Sequence, residues 1–296
     1  MKSLKAKLIN LSKASYETLK KKTSVSKNLY NQALYILKQE YRNTKQYISF
    51  PAMDKIMKQT VNLENEINYR LLKAQVAQQT LKRLDKSFKG YFSAVKDFTV
   101  NPHKYISCPK PPRYLKKEQH NLIYIYQSFQ IKHGCAVLEK DLSVKIPDCL
   151  LYEDIKQIEI IPRFKCFEVV FVYECPKEYP KIKTNNNIMA VDLGLDNIAA
   201  CTTNGIIKPF VIDGKGLKSI NQYYNKQMGK AKSVLDKSRP EIKWSKRLQS
   251  LTDKRNNKVN DYLHKASNKI VSVCQINDIS KIVIGNVSKS INGINI

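Results

Sequence analysis

Between Ile188 and Thr203 the chain reads IMAVDLGLDNIAACTT: an apolar run ending in Asp192, the residues Leu-Gly-Leu-Asp-Asn, and a second apolar run. Short apolar runs bounded by Gly, Asp and Asn predict two buried strands joined by a tight turn. A carboxylate within a buried strand is costly unless a metal ion or hydrogen bonds compensate it. Asp192 is therefore the first candidate for chemistry. Two readings stand for it: a metal ligand, or a turn-adjacent Asp whose oxygens accept backbone N–H bonds.

The residues that follow extend this pair into a sheet. Apolar runs at 188–191, 198–202 and 206–212 predict a three-strand meander, with turns at Gly194 and at the hairpin signal Asn204-Gly205. A helix is predicted over 217–235, after Gly214 and Gly216, and a basic, Trp-containing segment over 237–247. A long helix over 248–274 would place Tyr262, Leu263, Ala266, Ile270 and Val273 on one side, and KIVIGNV (281–287) reads as a short strand. Three strands, helices and a fourth strand form the opening of an RNase H-like α/β fold. In that architecture the first strand carries a metal-binding Asp, and the strand after the helices carries a second carboxylate near its end. A two-metal site holds its ions roughly 3.5–4 Å apart and needs several convergent oxygen ligands.

The first part of the chain has a different rhythm. Residues 1–10 predict a strand with Leu4, Ala6 and Leu8 on one face, and residues 16–46 repeat apolar positions at helical spacing. Pro51 opens another helix, and residues 56–92 read as helical, with Leu71, Leu72, Val76, Leu81, Leu84 and Phe88 as the buried stripe and Gly90 as a break. Four prolines between 102 and 112 make residues 101–120 a loop. Strand patterns follow at 122–129, 130–133, 136–138, 155–161 and 166–174, in an antiparallel meander. A helical segment is thus inserted between a first strand and a later β-rich segment: one domain in space with an inserted lobe. Pro176, Pro180 and the Asn185–Asn187 run mark a linker.

Charge narrows the function. The 296 residues include 52 Lys and Arg against 25 Asp and Glu, a net charge of +27 spread over the whole length. Such an excess calls for a polyanionic partner, nucleic acid before any other. Only eight of the cations are Arg, which favours contact with the phosphate backbone over readout of bases. Lys73, Lys82, Arg83, Lys86 and Lys89 on the helical stretch, with Lys243, Lys246 and Arg247 later, are the candidate nucleic-acid contacts. Seven cysteines with no Cys-x-x-Cys spacing argue against a zinc ribbon and for a reducing cytoplasm. Four histidines without ligand spacing argue against a histidine-based metal or general-base site. No signal peptide, lipid anchor or membrane span is legible, so a soluble protein without a membrane partner is expected.

The residues also resemble a known family. IMAVDLGLDNIAACTTNG is similar to the first RuvC motif of the transposon-encoded OrfB/TnpB proteins, RNA-guided endonucleases of small insertion sequences and relatives of type V CRISPR effectors. GKGLKSINQYYNKQMGKAKS resembles the family's segment after the third strand. LTDKRNNKVNDYLHKASNKIV resembles its long helix before the second RuvC motif. AQQTLKRLDKSFKGYF resembles a motif of the recognition lobe, and LSVKIP at 142–147 the end of the β-rich wedge domain. The matches are collinear over about residues 1–290.

The resemblance implies an α+β multidomain protein. A β-rich wedge domain (1–14 and 101–180) would carry an inserted helical recognition lobe (15–100). A linker (181–187) would lead to an incomplete RNase H-like, RuvC-type domain (188–296). It places the metal-binding Asp on Asp192, with Mg2+ as the implied cofactor and no zinc site. The position of a second carboxylate falls on Gly285, and the zinc ribbon and third RuvC motif are missing. A truncated chain, unable to cleave DNA alone, is therefore expected. Asp196, Asp213 and Asp278 are weaker substitutes as ligands. The implied partners are a guide RNA from the transposon end, double-stranded target DNA and a C-terminal fragment in trans; the implied location is the prokaryotic cytoplasm, at the nucleoid. A nuclease-dead, RNA-guided transcriptional repressor is the alternative.

Overall fold

The first strand of the chain finds its partner past the midpoint of the sequence. In the computed structural model, which describes residues 1–8, 11–175 and 185–285, β1 (Lys2–Lys7) pairs antiparallel with β7 (Cys166–Tyr173), setting Leu4 opposite Phe171 and Ala6 opposite Val169. With β6 (Ile155–Arg163) and β2 (Leu122–Ile125) they make a sheet of order β1-β7-β6-β2. Between β1 and β2 the chain leaves the sheet to form α1 (Lys13–Thr44), α2 (Phe50–Met57) and α3 (Ala74–Val100). A second small sheet is the meander β3 (Gln130–Lys132), β4 (Cys135–Glu139) and β5 (Leu142–Lys145). These elements belong to one compact unit, Met1–Pro176; a second unit spans Lys177–Ile296.

Local chemistry sets the helix ends in the first unit. Ser12 caps α1 by accepting from the Ser15 N–H at 3.0 Å, and Lys45 closes it in the left-handed region at φ 60°. Leu19, Leu29, Ala33, Leu34 and Leu37 form its buried stripe. Pro51 does open α2, but the helix expected over 56–92 breaks after Met57 and resumes only at Ala74. The interruption has a polar cause. Asn62 Oδ1 accepts from the N–H groups of Glu64 (2.8 Å) and Glu66 (2.9 Å), and Asn65 stands at φ 59°. Asn side chains that capture nearby backbone N–H groups compete with the helix. Gly90, expected as a break, lies inside α3. Beside it Phe88 and Phe92 pack tilted and edge-on with Tyr47, and Tyr91 packs against both of them, which outweighs the ~1 kcal/mol helix cost of one glycine.

The strand readings are corrected at three places in the described residues. The run 122–129 splits, because β2 ends at Ile125 and Tyr126–Ser128 turn as a 3-10 helix. β5 was not anticipated as a separate strand. The third strand of the later meander is short, β10 (Phe210–Asp213), and Asn204-Gly205 begins a longer loop instead of a two-residue hairpin. There the Asn204 side chain is drawn away, accepting from Ile188 N–H at 3.0 Å and donating to Asn186 O at 2.8 Å. Thr203 Oγ1 pins the loop by bonding both the N–H (3.0 Å) and the carbonyl (3.1 Å) of Ile207.

The second unit is built on one sheet of order β10-β9-β8-β11, comprising β10, β9 (Asn197–Thr203), β8 (Ile188–Leu193) and β11 (Lys281–Ile284). β8, β9 and β10 are antiparallel, whereas β11 lies parallel to β8 with Val283 beside Ala190. A parallel neighbour needs a long crossover, which α4 (Lys215–Ser238) and α5 (Lys246–Ile276) supply. Met189, Val191, Ala199, Cys201 and Ile212 of the sheet meet Ala266 and Cys274 of α5 in the core, with Ile270 and Val273 packed against it. Leu263, expected in that stripe, is 41% exposed. Residues 181–184 of the predicted linker, and 286–296 of the predicted final domain, lie outside the described residues. Asn185 and Asn187 are tied down: both amides donate to the carbonyl of Asp278, at 2.8 and 3.1 Å.

Candidate functional site

Strand alternation decides what Asp192 can do. Along β8, Met189 and Val191 are buried while Ala190 and Asp192 are exposed, since successive side chains leave opposite faces of a strand. The expectation of a carboxylate in a buried strand is therefore corrected: the strand is buried on one face only, and Asp192 stands on the other. Among the described residues its carboxylate accepts no hydrogen bond, so the alternative of an Asp bonding backbone N–H groups has no support.

Gly285, 93 residues later, lies beside Asp192. Its N–H donates to Val191 O at 3.1 Å, extending the β8–β11 pairing by one residue. A Cβ built on Gly285 would lie 3.5 Å from Asp192 Oδ1, an ordinary contact, and Gly285 does not have the positive φ that a side chain would resist. The fold thus brings together the two positions that the sequence had marked separately, and one of them carries no side chain.

The turn after Asp192 is held by glycines. A Cβ on Gly194 would lie 2.9 Å from Asn197 O, and one on Gly214 would lie 2.6 and 2.7 Å from the carbonyl oxygens of Leu195 and Asp196. The Gly214 N–H donates to Asp196 O at 2.7 Å. In the sequence Gly214 precedes a helix and, following Asp213 at a strand end, suits a turn; the fold adds its close approach to the Leu195 and Asp196 carbonyls.

The other carboxylates have local partners. Asp196 is paired with Lys218, whose hydrogen bond and charge hold its carboxyl below the usual range. Asp213 Oδ1 accepts from the Lys215 N–H at 2.9 Å as α4 begins. Asp278, at φ 54°, accepts from the Asn185 amide at 2.9 Å. Among the described residues no group of three or more His, Cys, Asp or Glu could hold a metal ion. A two-metal centre needs convergent carboxylates, so the described residues do not fit one.

The predicted cationic residues fall into two sorts. Lys73 Nζ donates to Ser128 O at 2.9 Å. Arg83 is turned inward: Nη2 lies 2.9 Å from Glu159 Oε1, and Nη1 is buried with no hydrogen-bond partner among the described residues. Beside it His120 accepts or donates at Nδ1 to Ser26 Oγ (3.1 Å), and burial, then the Arg83 charge, push its pKa down to about 4. By contrast Lys86, Lys243, Lys246 and Arg247 are exposed. Lys82 is exposed with its Nζ 5.3 Å from the centre of the Phe50 ring. Lys89, 70% exposed, pairs with Asp85 at 2.7 Å.

The described architecture is that of a mixed α/β protein built on antiparallel sheets, with one parallel pair beside Asp192. Residues 170–290 match the family model OrfB_IS605, described as a probable transposase. Among solved structures, one titled "Cryo-EM structure of the Cas12f1-sgRNA-target DNA complex" is 13% identical, with 98% of this chain and 74% of that chain covered at a TM-score of 0.33. A second, titled "Cryo-EM structure of CRISPR-Cas12f Ternary Complex", is 13% identical, with 95% and 64% covered at a TM-score of 0.32. No curated protein sequence matches the chain. Among the described residues no helix is long and apolar enough to cross a membrane.

Proposed function

We infer that this chain is a nucleic-acid-binding protein of the OrfB/TnpB type that holds RNA and DNA without cutting DNA through its described residues. In this reading the split sheet of the first unit is a wedge domain, α1–α3 form its inserted recognition lobe, and the second unit is a RuvC-like RNase H core. The observation that carries it is the adjacency of Asp192 and Gly285. Asp192 holds the place of a first metal-binding carboxylate, and the neighbouring place of a second is a glycine. A single carboxylate binds a largely hydrated Mg2+ weakly and cannot clamp two ions. Cleavage would need carboxylates from outside the described residues, on this chain or on another.

The net charge of +27 supports the binding half. Members of the resembled family leave sequence reading to a guide RNA, and a Lys-rich surface that meets phosphates fits that division. The glycine at 285 also favours the second use, RNA-guided repression, since binding survives the loss of a catalytic carboxylate. Purification of the full chain under low salt, followed by sequencing of co-purifying RNA, tests the reading. One dominant structured RNA, lost as salt is raised, is the expected result; a chain free of nucleic acid, and unable to shift RNA or DNA in a gel at low salt, overturns it.

A further inference from the structure

α4 and α5 together carry thirteen Lys and Arg against three Asp. Between them runs a cleft of about 440 Å³ that shares no residue with the Asp192 site; Tyr223, Tyr224, Leu251, Lys254, Arg255 and Lys258 are among its lining residues, and no carboxylate is. The Tyr224–Arg255 half of the cleft is fixed. Tyr224 hydroxyl meets Thr252 Oγ1 at 3.1 Å, the Arg255 guanidinium lies 5.7 Å from the Tyr224 ring centre, and Arg255 Nε donates to Asn221 Oδ1 at 2.8 Å. The Tyr223 half is open. Tyr223 is 63% exposed, and its hydroxyl has no hydrogen-bond partner among the described residues.

Lys254 and Lys258 sit one helical turn apart and have no acidic partner among the described residues. Like charges at this spacing repel, a cost that a bound anion removes. A solvated helix face would interleave acids with these lysines, as Lys265 does with Asp261 at 2.8 Å further along α5. The cleft instead combines open aromatic surface, a held guanidinium and two unpaired ammonium groups. Those are the parts that grip a single strand: rings that stack on bases and cations that track the backbone.

We propose that the α4–α5 cleft is a binding subsite for single-stranded nucleic acid, with a base stacked on Tyr223 and the adjoining phosphates on Lys254 and Lys258. It rests on the nucleic-acid-binding reading and adds the strandedness and the place. The test is fluorescence anisotropy of the full chain with labelled oligo-U, oligo-dT and a mixed-sequence duplex of equal length. Tyr223→Ala should weaken single-strand binding by about 5- to 150-fold and leave duplex binding within twofold, while Tyr223→Phe keeps single-strand affinity. Lys254→Gln with Lys258→Gln should flatten the single-strand salt slope by about 1.4. Parent-like single-strand binding by Tyr223→Ala overturns the subsite and leaves the wider reading standing, as does equal loss on both ligands. A parent chain that binds no oligonucleotide overturns both.

Discussion

Gly285→Glu tests the arrangement around Asp192 without any catalytic assay. Position 285 accepts a side chain: its Cβ would make only a 3.5 Å contact with Asp192 Oδ1. A glutamate there brings a second carboxylate to about 4 Å from the first, where two like charges at an exposed site repel by about 1 kcal/mol in water. That repulsion lowers the melting temperature by about 2–4 °C in a chain of this size. A divalent cation reverses its sign by neutralising both carboxylates at once. Thermal unfolding of the parent and the variant, each with and without millimolar MgCl2, should therefore show a variant that melts lower without Mg2+ and recovers with it. The parent should respond weakly, and the double variant Asp192→Asn, Gly285→Glu should respond no more than the parent. A Gly285→Glu variant whose melting is as insensitive to Mg2+ as the parent's would refute the idea that these positions face one ion site.

Two further perturbations probe the scaffold. Gly214→Ala forces a Cβ to within 2.6 Å of the Leu195 carbonyl oxygen and should cost about 1–3 kcal/mol by urea denaturation; Gly90→Ala, where nothing lies within 4 Å, should stabilise by up to about 1 kcal/mol. His120, depressed to about 4 from 6.5 by burial and then by Arg83, with Ser26, Tyr30 and Glu159 also about it, is kept neutral by folding. Its contribution is present above pH 6.5 and is lost as pH falls toward 4, on the order of 3 kcal/mol across that window. Denaturation of His120→Gln at stepped pH should show a shallower acid loss than the parent; identical profiles would contradict this account of the buried imidazole.

The parts of the fold that were legible in the sequence are those with a strong period. The apolar repeats of α1, α4 and α5 and the runs of β8 and β9 stand close to where they were expected. Two of the misreadings share one cause, polar side chains acting on backbone. Asn62 breaks a helix by capturing two N–H groups, and Asn204 unmakes a two-residue hairpin by reaching to β8. Asp192 could be singled out from its strand, but its exposure could not, because an apolar run does not say whether one face or both are covered. The distance from Asp192 to Gly285 depends on a parallel pairing across two helices, which no local pattern encodes. Arg83 on a helix reads like its lysine neighbours; only the fold turns it toward Glu159.

The most direct test is a single gel. The full chain, loaded with its co-purifying RNA, is incubated with duplex DNA matching that RNA in Mg2+, and the products are resolved natively and after denaturation. The account predicts DNA that is shifted and uncut. DNA cleaved by the purified chain, with cleavage abolished in Asp192→Ala, would contradict it.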